Sequence, residues 1–105
     1  MEKSIIDEIK DRILSQYHPN KLYLFGSAAL KGPALANDID LCVIKEDINN
    51  KSEEFIKLRK ILGRTIMPLD ILFFTKDEFD RRKNIWGTVQ YEIDKKGKIL
   101  YDAGR

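Results

Sequence analysis

The sequence predicts a small α/β (α+β) domain, a β-sheet flanked by helices. Three observations carry this. Helix-period and strand-type segments alternate along the chain in the order αβ(α)βαβαα, with a last short strand at the C-terminus. The 105 residues suit one domain, taken as residues 1–105. The composition, 43% hydrophobic and 34% charged, is that of an ordinary globular chain and argues against disorder over most of its length.

The elements follow in order. Ile5, Ile6, Ile9, Ile13, Leu14 and Tyr17 recur at helical spacing, so a helix is predicted from Ser4 to Tyr17. Ser4 caps it, Asp7 suits its first turn, and His18-Pro19-Asn20 ends it. Lys21–Phe25 is a short apolar strand, Gly26-Ser27 a turn, and Ser27–Lys31 one or two helical turns. Gly32 and Pro33 make 31–37 a loop. Ile39–Lys45 reads as a strand from its β-branched, continuously apolar character. A second helix is predicted over Ser52–Arg64, with Phe55, Ile56, Leu58, Ile61 and Leu62 as its buried stripe and Gly63 near its end. Pro68–Phe74 is a third strand, and Thr75-Lys76-Asp77-Glu78 is a capping-box pattern opening a helix to Arg82. A further helix is predicted over Asn84–Lys96, interrupted by Gly87 and closed by Gly97, then a strand over Lys98–Tyr101. Phe79, Ile85, Val89 and Ile93 are assigned to packing, and the helices are expected to cover mostly one face of the sheet.

Composition excludes several classes of function. Nineteen basic against 17 acidic side chains leave a net charge of +2, too balanced to argue for nucleic-acid or membrane binding. No apolar run approaches the about 20 residues that span a bilayer. The charged start, MEKSIIDEIKDR, lacks a signal-peptide apolar region. One cysteine, Cys42, permits neither an internal disulfide nor a cysteine metal cluster, which fits a reducing cytoplasm. In its apolar strand it reads as a small core residue rather than a nucleophile. One histidine, His18, excludes multi-histidine metal sites and reads as a surface residue at a helix end. Arg81-Arg82-Lys83 with Lys76 reads as solvated helix surface, and Trp86 and Tyr91 as packing or partner-facing aromatics.

The chemistry concentrates in LYLFGSAALKGPALANDIDLCVI, residues 22–44. Asp38 and Asp40 are two apart beside a strand, so they share one face while Ile39 and Leu41 point to the other. Two adjacent carboxylates repel, and a divalent cation with oxygen ligands, Mg²⁺ or Mn²⁺, is the usual compensation. Asp70 sits in PLDILFF among apolar neighbours; if its strand lies beside Ile39–Lys45 it reaches the same ion. Three carboxylates around two ions form a clamp for in-line phosphoryl chemistry. The bland alternative is an Asp-x-Asp pair on a solvated edge, with Asp38 a turn residue after Asn37. Gly26-Ser27 likewise has two readings. It is a plain strand-to-helix turn with Ser27 as N-cap, or a phosphate-binding turn in which Gly26 allows close backbone approach.

The pattern of Gly-Ser, ten residues, Asp-x-Asp and a third Asp on a later strand resembles the polymerase-β-like nucleotidyltransferase superfamily. More closely, the chain resembles the minimal nucleotidyltransferases over nearly its whole length. The resemblance implies a mixed sheet flanked by helices, and transfer of a nucleoside monophosphate from ATP or another nucleoside triphosphate to a hydroxyl, with Mg²⁺ (or Mn²⁺). It implies nucleotide binding at Gly26 and Ser27 and metal ligation by Asp38, Asp40 and Asp70, with Asp70 helping to activate the acceptor. Many such proteins are antitoxins of HEPN-family ribonuclease toxins and transfer AMP to a toxin tyrosine, which implies a protein partner and a hetero- or homo-oligomer. The alternatives are transfer to a small molecule, as in antibiotic-modifying relatives, and a non-catalytic nucleotide- or toxin-binding module. The family's stretch after Gly-Ser often reads like Arg-Ala-Arg-Gly; here it is Ala28-Ala29-Leu30-Lys31-Gly32, with Lys31 as the one basic candidate.

Overall fold

The structure, a computed structural model, describes residues 4–32, 38–64 and 68–104. Among these lie five helices and four strands: α1 (Ile5–Gln16), β1 (Lys21–Phe25), α2 (Ser27–Lys31), β2 (Ile39–Lys45), α3 (Lys51–Leu62), β3 (Leu69–Thr75), α4 (Lys76–Arg82), α5 (Val89–Lys96) and β4 (Lys98–Asp102). The sequence-predicted loop over 31–37 falls mostly on 33–37, outside the described residues.

Local chemistry explains most boundaries. The hydroxyl of Ser4 accepts from the Asp7 amide at 3.1 Å, so the cap is where the pattern placed it. Asn50 caps α3 through the Glu53 amide, again at 3.1 Å. At α4 both arms of the capping box form: the Glu78 amide donates to Thr75 Oγ1 at 3.1 Å, and the Thr75 amide donates to Glu78 Oε1 at 2.8 Å. The last predicted helix is shorter than its pattern. Residues 83–88 form turns, and α5 starts only at Val89, capped by Thr88, whose hydroxyl accepts from the Tyr91 amide. The break has a cause in Gly87, which takes φ +90°, a value that ends a right-handed helix.

The sheet is mixed, with strand order β3-β2-β1-β4. β1 runs antiparallel to both β2 and β4, whereas β2 and β3 are parallel. A parallel pair needs a crossover, and α3 supplies it. The central strands are therefore covered on both faces, which is why β2 is apolar without alternation. On one face Ile6, Ile9 and Ile13 of α1 and Leu58 and Leu62 of α3 pack on Leu22, Leu24, Leu41, Val43, Ile71 and Phe73. On the other, Phe79 of α4 and Ile93 of α5 pack on Tyr23, Cys42 and Ile44, with Phe79 stacked on Tyr23 at 5.5 Å between ring centroids. The expectation that helices cover mostly one face is corrected here: α4 and α5 close the second face.

Two further packing expectations fail. In α3 the inward residues are Glu54, Leu58 and Leu62, at strict i, i+4 spacing, while Phe55 and Ile56 are 40% and 53% exposed. α3 rests on the sheet and on α1 through a narrow stripe, too narrow for all five apolar side chains. Ile85 (52% exposed) does not pack because it sits in the turn, and Val89 (40%), the first residue of α5, is left partly in solvent.

Glu54 occupies an inward position because its charge is met. Tyr17 Oη donates to Glu54 Oε1 at 2.8 Å and Lys45 Nζ to the same oxygen at 2.7 Å, while Lys57 Nζ lies 3.4 Å from Oε2. Burial alone would raise this carboxyl, but the bonds from Lys45 and Tyr17 and the Lys45 and Lys57 charges outweigh it and hold it below the usual glutamate range. The group ties α1, β2 and α3 together.

Candidate active site

Strand direction assembles the site. β1 is antiparallel to β2 and β3 is parallel to it, so the C-terminal end of β1 and the N-terminal ends of β2 and β3 meet at one rim of the sheet. Register then brings the named residues together. Asp40 pairs directly with Asp70 across the parallel ladder and with Phe25 across the antiparallel one. The Ile39 amide donates to the Pro68 carbonyl at 2.9 Å, which carries the β2–β3 alignment back to the residue beside Asp38.

Asp38, Asp40 and Asp70 each turn one carboxylate oxygen into a common space, and these oxygens lie within 4.8 Å of one another. The three are not buried as their apolar neighbours in sequence imply: Asp38 and Asp40 are half-buried, and Asp70 is exposed. The reason is position. Asp70 is the second residue of an edge strand and lies at the rim rather than in the core.

Electrostatics single out Asp40. Its carboxyl is pushed above the ordinary carboxylate range, first by burial, then by the charges of Asp38 and Asp70 and by the hydrogen-bonded Asp70 side chain. A cation placed among the three would reverse both charge contributions, so the donor set fits a divalent, oxygen-seeking ion.

Gly26 closes the site on the β1 side. It takes φ +71°, ψ −153°, a region almost confined to glycine, and a Cβ built on it would run into Oδ2 of Asp40. The backbone of the turn therefore lies against the carboxylate with no side chain between them. Gly26, not Ser27, is the N-cap of α2: its carbonyl accepts from the Ala29 and Leu30 amides at 3.2 Å. Ser27 is the first helical residue, half-buried, and the reading of its side chain as an N-cap is corrected. Lys31 lies one turn further on, exposed at the C-terminal end of α2; among the described residues it makes no ion pair with the triad. Ala28 and Ala29 are buried against the core, while Leu30 is 70% exposed, so the stretch after Gly26-Ser27 presents no basic side chain before Lys31. Sequence reasoning did not single out Phe25, the cross-strand partner of Asp40; its place just before Gly-Ser was the available signal.

Comparison with known proteins gives the fold its family. The chain belongs to the polymerase beta nucleotidyltransferase family, whose profile matches residues 7–105. Among solved structures it is similar to a protein from Sulfolobus solfataricus assigned as a nucleotidyltransferase (18% identity, TM-score 0.65, covering 96% of this chain and 80% of that one). It is also similar to a chain of a mutant form of the toxin–antitoxin pair MntA-HpeT (20% identity, TM-score 0.58, 95% and 74%). At these identities the likeness is one of fold. No curated protein matches the sequence significantly. Among the described residues no helix is long and apolar enough to cross a membrane.

Proposed function

We propose that residues 1–105 form a single minimal nucleotidyltransferase domain that moves a nucleoside monophosphate, AMP from ATP, onto a hydroxyl of a protein partner. The observation that carries this is the in-register Asp40–Asp70 pair with Asp38, held against the Gly26 turn. Asp38, Asp40 and Asp70 would hold Mg²⁺, or Mn²⁺ in its place, which when bound supplies charge neutralisation for the triphosphate and a lowered pKa for the attacking hydroxyl.

The chain's own residues do the rest. The side-chain-free backbone at Gly26 and the Ser27 and Ala28 amides, which precede those bonded to the Gly26 carbonyl, receive the triphosphate tail together with the Ser27 hydroxyl. Lys31 is the nearest basic residue in sequence, suited to the outer phosphates. Asp70, the exposed member of the triad, faces the side from which an acceptor enters. The acceptor oxygen forms a bond to the α-phosphorus, the bond from that phosphorus to its bridging oxygen breaks, and pyrophosphate leaves. The hydroxyl proton passes to Asp70 and on to solvent.

A protein acceptor is favoured by the exposure of Asp70 at the rim of the sheet, on an edge strand that a partner can approach. Similarity to a toxin–antitoxin chain supports the same direction, with a HEPN-type ribonuclease toxin as acceptor, the pair acting in the cytoplasm. One specific observation favours a second reading, a non-catalytic module that neutralises its partner by binding: the buried Ala28 and Ala29 leave the turn short of basic residues.

Label transfer separates these. α-Phosphate-labelled ATP and Mg²⁺ are added to a lysate containing the partner, with wild type and Asp40→Asn in parallel and γ-labelled ATP as control. A protein band labelled from the α-position by wild type alone is the expected result. An unlabelled lysate, with partner neutralisation intact in Asp40→Asn, would overturn the enzymatic reading in favour of the binding module.

A further inference from the structure

The sheet has two edges, and they are built differently. β4 is a five-residue strand with Lys98 and Asp102 at its ends, and its pairing with β1 carries an irregularity at Leu22/Tyr23. Charge and irregular pairing guard an edge against further strands. β3 is longer, at seven residues, and its run from Ile71 to Phe74 is apolar, with no lysine or proline in the strand. Between this edge and the first half of α3 runs an open groove of about 480 Å³, walled by Phe55 and Ile56, with Lys51 at the start of the helix. Phe55 and Ile56 are the side chains that α3 turns outward, so groove and unguarded strand form one apolar surface.

We propose that a second copy of the chain closes this edge: two β3 strands pair antiparallel about a two-fold axis at Leu72, which joins the sheets and brings Lys51 of each copy to Asp70 of the other. The backbone supplies the first argument. In the parallel ladder the Ile39 amide bonds to the Pro68 carbonyl, so Asp70, Leu72 and Phe74 turn their backbone groups to β2, whereas Ile71 and Phe73 direct theirs to the open edge. With the axis at Leu72, Ile71 of each copy stands opposite Phe73 of the other, and each such pair exchanges both bonds. The strand is thus complementary to itself, and the contact closes after two copies. β3 set on the edge of β4 would instead run on as an open array.

Charge and hydrogen bonding fix the register. An axis at Ile71 would set the Asp70 carboxylates of the two copies on diagonal neighbour positions, where they repel. An axis at Phe73 would set Ile71 opposite Thr75, whose amide is already taken by Glu78 Oε1 at 2.8 Å. An axis at Leu72 sets Asp70 opposite Phe74, on the same face of the joined sheet. Lys51 Nζ lies 5.1 Å from the centroid of the Phe74 ring and 3.1 Å from Glu78 Oε2, so in the pair the ammonium comes beside Asp70 of the second copy. The attraction acts twice across the axis. It also brings a cation to a triad whose own Gly26-Ser27 turn has none before Lys31. On the other face, where Ile71 and Phe73 pack, Phe55 and Ile56 of both copies meet the seam and leave water. The association does not depend on the chemistry of the triad, and its test reads none of it.

Sedimentation equilibrium of the full chain from about 1 to 100 µM tests the pairing. Wild type is expected to reach twice the 12.2 kDa chain mass at the upper end of that range. Ile56→Asp puts a charge into the seam at a side chain the single chain leaves half in water. It should keep the fold by circular dichroism and weaken association at least about 30-fold. Lys51→Glu should weaken association about tenfold, and Asp70→Lys added to it should restore the loss. Leu72→Cys places a thiol on the axis opposite its own copy, with Cα atoms about 4.5 Å apart, inside the range of a disulfide. Mild oxidation should yield a covalent dimer from Leu72→Cys and none from Leu69→Cys; the native Cys42 is buried and stays out of the reaction. A wild type that sediments at 12.2 kDa throughout overturns the proposal. So does a dimer that persists in Ile56→Asp, or one that Leu72→Cys fails to cross-link, because the contact then lies elsewhere.

Discussion

Gly26→Ala is the sharpest single perturbation of the site, and the protein contains its own control. Gly26 and Gly63 adopt nearly the same backbone, φ +71°, ψ −153° and φ +65°, ψ −144°. Both values belong to a region in which a side chain costs about 1–3 kcal/mol. The surroundings differ. A Cβ at Gly63 meets nothing within 4 Å, whereas one at Gly26 collides with the Asp40 carboxylate. Gly63→Ala should therefore lose only the backbone cost. Gly26→Ala should lose the same amount plus about 0.5–1.5 kcal/mol as Asp40 is driven off its rotamer, a total of about 1.5–4.5 kcal/mol. The functional consequence is larger, because the displaced group is a proposed ligand. Mg²⁺ or Mn²⁺ affinity should fall about 10–100-fold, the range seen when the support of a metal ligand is removed. Urea unfolding of the two variants measures the first quantity, and calorimetric titration with Mn²⁺ the second. Equal destabilisation by both variants, with metal affinity unchanged in Gly26→Ala, would refute the reasoning.

Four other outcomes are expected. Glu54 is held below the ordinary glutamate range in the fold, so it contributes stability above its unfolded pKa that is lost as pH falls through the folded one. Urea midpoints followed from about pH 6 to pH 2 should decline less steeply in Glu54→Gln than in wild type; parallel curves would show that the Tyr17–Lys45 network does not act as described. Burial pushes the Cys42 thiol up to about 12, so labelling by a thiol-reactive disulfide reagent should proceed only as fast as the protein unfolds. Rapid labelling of the native protein at neutral pH would place Cys42 at a surface. Phe79→Ala should cost about 3–5 kcal/mol, because this 2%-exposed ring stacks on Tyr23 and seals the second face. Trp86→Ala, at 82% exposure, should stay within about 0.5 kcal/mol in the same unfolding assay.

Sequence reasoning worked where the signal is local. The strand Lys21–Phe25, the helical turn Ser27–Lys31 and the strand Ile39–Lys45 stand at the predicted bounds, because strand-type runs and turn residues act within a few positions. The capping box at Thr75–Glu78 is a four-residue device and was readable as such. Reading failed where a neighbour in space decides. Phe55 and Ile56 are apolar and helical, yet α3 turns them outward and turns Glu54 in, an arrangement that depends on Lys45 and Tyr17 from other elements. A stricter reading of the i, i+4 stripe through Glu54, Leu58 and Leu62 held the clue. The helix predicted over Asn84–Lys96 with an interruption at Gly87 keeps only the part beyond that glycine, a local signal that the sequence did carry.

By itself, then, the sequence determined the alternation of elements, the local caps and turns, and the supply of carboxylates at Asp38, Asp40 and Asp70. Only the tertiary structure decided that these meet. The parallel register that sets Asp40 opposite Asp70 and the close approach of Gly26 to Asp40 join segments up to 44 positions apart. So does the closure of the second sheet face by α4 and α5. Strand order and direction are set by the burial of whole faces, a property of the assembled chain that no window of neighbouring residues contains.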